Sequence, residues 1–162
     1  MNEINSTDEQ DAVRRLEILH VLDQWQDAIQ GFDEAIGNKL GLINAEHRCL
    51  KALIDGPKTA GQLAVASGLT PAAATSMIDR LEKRGFVERQ RDETDRRKVV
   101  VAMTQPASDT LDTFYKPLAH DAAAMLANFG QTELSVVEAF VKKAFTLQQA
   151  HRERVVAETV AP

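Results

Sequence analysis

The sequence predicts a mainly α-helical chain with one small β-hairpin, and three observations carry that prediction. Apolar residues recur at steps of three and four over most of the 162 residues. The period breaks once, at FVERQ and KVVVAM, two runs suited to strands that flank the charged segment RDETDRR. Glycine and proline fall where one periodic run gives way to the next, as at Asp55-Gly56-Pro57 and at Gly85.

In chain order, Val13, Leu16, Leu19, Trp25, Ile29, Phe32 and Ile36 predict a long amphipathic helix from about Asp8 to Ile36, ending near Gly37-Asn38. Asn44 is the expected N-cap of a second helix, AEHRCLKALI, which stops at Asp55-Gly56-Pro57. Two shorter helices follow, AGQLAVAS and PAAATSMIDRLEKR, joined through Gly68-Leu69-Thr70. Thr70 offers a hydroxyl cap, Pro71 suits the first helical position, and Gly85 supplies the stop. After the hairpin, Gln105-Pro106 opens a helix to about Phe129, and a last helix runs from Thr132 until it fades after about Arg154.

Composition narrows the class. An apolar fraction of 44% and a charged fraction of 27% match a packed soluble domain rather than a disordered chain. No run approaches the roughly 18 apolar residues of a membrane span, and MNEINSTDEQD is too polar and acidic for a signal peptide, so no membrane partner and a cytoplasmic location are expected. Cys49, the one cysteine, is expected to be a buried structural thiol. His20, His47, His120 and His151 are scattered without metal-ligand spacing, and there is no glycine-rich phosphate loop or nucleophile elbow. The chain is therefore read as no enzyme, with no cofactor and no metal.

A net charge of −5 and a pI of about 5.4 argue at first against nucleic acid. From Asp79 to Lys98, however, eight basic residues stand against six acidic ones, which makes a local strip of +2 on a body of −7. Only the surface that faces phosphates has to displace counterions, so such a strip suffices.

The order short helix, turn, capped helix, hairpin with a basic loop describes a winged helix-turn-helix, whose second helix enters the major groove by its N-terminal residues. Leu63, Leu69, Ala74, Ile78 and Leu81 are expected to fix the helix pair, leaving Ala72, Ala73, Thr75, Ser76 and Arg80 to face outward. Small residues there permit close approach to base edges, although an alanine-rich run also favours helix for its own sake. Thr70, at the tip, joins the same expected DNA-contacting set. In the hairpin loop, Asp95 would hold a neighbouring arginine and shape the wing while Arg96 or Arg97 reaches a phosphate or a narrow minor groove. A merely solvated charged turn would carry the same residues.

The run LTPAAATSMIDRLEKRGFVERQRDETDRRKVVVAMT closely resembles the recognition helix and wing of the MarR family of regulators. The shared features are the helix ending D-R-L-E-K-R-G, the V-E-R strand, the D-R-R wing and the hydrophobic strand closing in M-T. NAEHRCLKAL and TAGQLAVASGLT resemble that family's preceding helices, so the likeness spans roughly residues 10 to 150. Ser76 stands where many relatives carry a basic residue, so base preference is not transferable.

The resemblance implies one MarR-like domain over 1–162, a winged helix-turn-helix module at 39–104 and N- and C-terminal dimerisation helices at 8–37 and 105–154. It implies a homodimer on a pseudo-palindromic site of double-stranded DNA, with wing contact to the minor groove through Arg97, and a ligand-responsive repressor. It also implies a small aromatic or phenolic effector in a cleft beside the winged module, with Trp25, Phe32, His47 and Tyr115 as candidate lining residues. The redox-sensing branch of the family places a reactive cysteine near the start of the first helix, where this chain has none. The competing reading is a winged-helix protein–protein adaptor without specific DNA binding.

Overall fold

The computed structural model describes residues 3–92, 95 and 97–158, which form helices and a two-stranded hairpin. The elements are α1 (Glu3–Leu40), α2 (Asn44–Leu53), α3 (Ala60–Ser67), α4 (Pro71–Lys83), β1 (Val87–Arg91), β2 (Val99–Met103), α5 (Gln105–Leu126) and α6 (Gln131–Ala157). They fall into two compact units, Met1–Asp112 and Thr113–Pro162.

In the first unit, α1 continues past Gly37, the expected stop, to Leu40. Gly41, at φ +61°, ends it instead: Leu42 N–H donates to the Gly37 carbonyl at 2.8 Å and Gly41 N–H to Asn38 at 3.2 Å. That double bond pattern requires a left-handed residue at position 41, which glycine adopts without a Cβ clash. The cap of α2 is also shifted by one residue. Ile43, not Asn44, is the N-cap; it has no cap oxygen, and its backbone N–H is satisfied by Glu46 Oε2 at 3.2 Å.

The helix pair α3 and α4 follows the sequence closely. Thr59 caps α3 by accepting from Gln62 N–H at 3.3 Å, and Thr70 caps α4 by accepting from Ala73 N–H at 3.3 Å. Gly68 at φ +68° turns the chain between them, and Gly85 at φ +77° releases it into β1. The strands pair antiparallel from Val87 opposite Met103 to Arg91 opposite Val99. Lys58 adds a bridge to Val101 on the other edge of β2, with both backbone hydrogen bonds formed.

Leu50, Leu63, Met77, Ile78 and Leu81 are fully buried and form the centre of this unit, closed by Val87, Val100 and Val101 from the hairpin. Ala107 and Leu111, on the first turns of α5, are buried as well. Most of α1 is different: Leu16, Leu19, Val21 and Trp25 are all more than half exposed.

The second unit holds the rest of α5, which runs through Pro117, and all of α6. Helix α5 stops at Leu126, short of Phe129, because the Asn128 amide turns back to cap the carbonyls of Ala124 at 3.1 Å and Met125 at 3.3 Å. Helix α6 buries none of its residues, and Val136, Phe140, Phe145 and Leu147 stay exposed.

Candidate nucleic-acid interface

The outward face of α4 is set by which of its residues the core claims. Ala74, Met77, Ile78 and Leu81 are fully buried, while Pro71, Ala72, Ala73, Thr75, Ser76 and Arg80 are exposed. The first turn therefore offers methyl groups and two hydroxyls. Thr75 Oγ1 donates to Pro71 O at 3.0 Å and Ser76 Oγ to Ala72 O at 3.3 Å, so their protons are used within the helix while oxygen lone pairs remain outward. Met77, absent from the expected contact set, is as buried as Ile78; its spacing three residues after Ala74 was the available signal.

The basic strip is extensively ion-paired. Glu46, only 4% exposed, accepts from Arg80 Nε at 3.2 Å through Oε1 and pairs with Arg84 Nη1 at 3.5 Å through Oε2. Arg84 also donates to the carbonyls of Leu40 at 2.8 Å and Gly41 at 3.0 Å, and its guanidinium lies 4.9 Å from the centre of the Phe86 ring. Arg89 on β1 bonds both Asp79 and Glu82 of α4. Among the described residues, no ion pair engages Lys83, Arg91 or Arg97.

In the wing, Asp95 Oδ1 accepts from the backbone N–H of Arg97 at 3.1 Å, and its other oxygen lies 3.8 Å from Lys98 Nζ. Among the described residues, Asp95 thus engages an arginine through its main chain and a lysine through its side chain. The turn is closed by Asp95 N–H to Asp92 Oδ1 at 2.8 Å and Lys98 N–H to Asp95 O at 2.8 Å. Arg97 is exposed; Arg96 lies outside the described residues.

Beside α4's scaffold, a groove of about 400 Å³ runs between α1 and α2, lined by Gln26, Ile29, Asp33, Asn44, His47 and Arg48 among others. Of the four residues expected to line an effector cleft, His47 lines this groove. Trp25 is 54% exposed on α1 and Phe32 is half-buried there, neither of them in the lining, and Tyr115 is half-buried in the second unit. Burial holds His47 below its ordinary value of 6.5, with Lys51 adding to that effect and Asp33 opposing it. Cys49 is fully buried, and burial, aided by Glu46, pushes its thiol up to about 11, which leaves almost no reactive thiolate at neutral pH.

A family model described as the MarR family matches residues 44–99, from the start of α2 to the first residue of β2. Over 125 residues the chain is 31% identical to the HTH-type transcriptional regulator YcgE of Bacillus subtilis, an alignment covering 76% of this chain and 81% of that one. The chain belongs to the MarR family. As a MarR-family member it is a DNA-binding transcriptional regulator and not an enzyme. The fold agrees with that of a MarR family protein from Bacillus stearothermophilus, at a TM-score of 0.58 and 21% identity over 92% of this chain and 99% of that one. Over 101 residues the chain is 28% identical to the transcriptional repressor MprA of Escherichia coli, an alignment covering 62% of this chain and 57% of that protein. No helix of the described residues is long and apolar enough to cross a membrane.

Proposed function

We propose that this regulator is a homodimeric repressor that occupies a pseudo-palindromic operator and releases it when a small ligand binds. The observation that carries the reading is the unclaimed apolar surface of one protomer. Leu16, Leu19 and Trp25 on α1 and Phe140, Phe145 and Leu147 on α6 are each at least two-fifths exposed, a burden that a second copy would relieve. The parts divide accordingly into a winged module at 39–104 within one MarR-like domain and dimerisation helices at 8–37 and 105–154.

In this reading the exposed face of α4 reads base edges with Ala72, Ala73, Thr75, Ser76 and Arg80, while Thr70 sits at the phosphates beside its N-terminus. Arg96 and Arg97 reach the minor groove from the wing that Asp95 shapes, and Lys83 and Arg91 add charge. Two copies would place their helices in successive major grooves about 34 Å apart. Occlusion of a promoter follows from such a footprint, and the likeness to a protein named a transcriptional repressor supports that direction.

The groove between α1 and α2 is the candidate effector site in the first unit, with His47 at its wall and Trp25 and Phe32 on the same stretch of α1. A small aromatic or phenolic ligand there acts by preferring the conformer whose recognition helices are wrongly spaced.

Selection from random duplex DNA, with the mass in solution measured by sedimentation, tests the core of this reading. A palindrome enriched at moderate salt by a species of twice the chain mass is expected. A monomer, or no enriched sequence, defeats it and favours a protein-binding adaptor.

A further inference from the structure

Glu46 does more than cap a helix. Satisfying the Ile43 N–H needs one carboxylate oxygen, and an exposed side chain would serve; here the carboxylate is buried, and its other oxygen receives Arg80 Nε, 34 residues away. Burying a charge is unfavourable unless it is fully paired, and the pairing is supplied by two arginines of α4's second half and its end. The Arg80 side chain remains 53% exposed, so one edge of its guanidinium is fixed while the side chain stays open to a partner. Arg84, on the same carboxylate, is bonded to the last carbonyl of α1 and the one after it.

We propose that Glu46 is a positioning residue for DNA recognition: its buried carboxylate fixes Arg80 before DNA arrives, and through Arg84 it ties that setting to the end of α1. A long flexible side chain that has already lost its freedom forfeits less on binding and holds one geometry, which favours the sequence matching that geometry. The inference rests on the reading in which Arg80 meets DNA.

The test is Glu46→Gln in the full-length protein, assayed on the selected duplex and on a scrambled duplex of equal length. An amide has one acceptor. If it serves Ile43, its NH2 faces the Arg80 Nε–H and releases that side chain. The ratio of specific to non-specific affinity is expected to fall about tenfold, the scale of one good base contact. Affinity for the scrambled duplex rises roughly threefold, because the Arg80 charge is no longer paired with Glu46 and is free to meet the phosphates. In an Arg80→Ala background the same change leaves the ratio unaltered. A parallel loss on both duplexes, or an equal fall of the ratio without Arg80, would show a purely structural role and overturn the proposal. Should selection enrich no sequence, the operator reading fails by itself. The positioning role is then judged on the scrambled duplex, where it requires the gain from Glu46→Gln to vanish in the Arg80→Ala background.

Discussion

Arg89 of β1 places Nη2 at 2.5 Å from Oδ1 of Asp79 on α4, so the wing strand and the recognition helix are joined by a direct ion pair. Its Nη1 bonds Glu82, one turn further along the same helix, and its backbone N–H donates to that carboxylate at 3.2 Å. The hydrogen bond that Arg89 donates to Asp79, with Glu82 beside it, holds the guanidinium still more firmly in its charged form. In the proposed reading, base reading by α4 and groove contact by the wing need a constant angle between the two, and this fork constrains it.

Arg89→Ala is expected to lower folding stability by about 1 kcal/mol, since partly exposed pairs are individually weak and only the fork adds to them. A double-mutant cycle with Asp79→Asn in urea denaturation should give a coupling of roughly 0.5 kcal/mol. Strict additivity of the two changes would mean that the fork does not hold the wing.

The helix-turn-helix was legible because its punctuation is local. Thr70 with Pro71, Gly68 and Gly85 act on the residues next to them, and the structure uses each as the sequence implied. The α2 cap was misread for the opposite reason. Asn44 has the right chemistry for a cap, but Glu46 satisfies the free N–H from three residues downstream and moves the boundary to Ile43. The Glu46 network itself, which joins residues 34 and 38 positions apart, has no signature in periodicity; a lone glutamate in a first helical turn reads as ordinary dipole chemistry. The groove between α1 and α2 had no signature in the sequence, because its wall is assembled from amide and carboxylate side chains of two helices that periodicity treats separately.

Two glycines only seven residues apart should respond to alanine with opposite signs. Gly68 holds φ +68°, where a Cβ is strained, and Gly68→Ala should cost about 1 kcal/mol or more. Gly61 lies inside α3 with nothing within 4 Å of an added Cβ, so Gly61→Ala should stabilise by up to about 1 kcal/mol. Thermal midpoints of the two variants settle both, and a stabilising Gly68→Ala would refute the left-handed turn between α3 and α4.

His47 makes stability depend on pH in a defined window. Its folded pKa lies below 6.5, chiefly through burial, so the unfolded chain binds the proton more readily than the folded one. The stabilisation is complete above the unfolded value and is lost as pH falls through the depressed folded value. Denaturation midpoints between pH 7.5 and 5 (on the order of the range where histidine titrates) should therefore drop more steeply for the native chain than for His47→Gln. Equal slopes would indicate that His47 is solvated in the folded state.

In the proposed reading, Arg97 is the described wing residue on which DNA binding depends most directly. Its backbone is pinned by Asp95 while its side chain is exposed and, among the described residues, in no ion pair, so the charge is held out without being neutralised. Replacing it with alanine should weaken binding on specific and scrambled duplexes alike, by roughly tenfold at low salt, because a phosphate or minor-groove contact carries little base information. The slope of log affinity against log salt should become shallower by about one for each wing engaged. Anisotropy titrations from low to moderate salt measure both quantities together. A variant with weakened affinity but an unchanged salt slope would mean that Arg97 shapes the wing rather than meeting the phosphates, and the contact would then fall to Lys83 at the end of α4 and Arg91 at the end of β1.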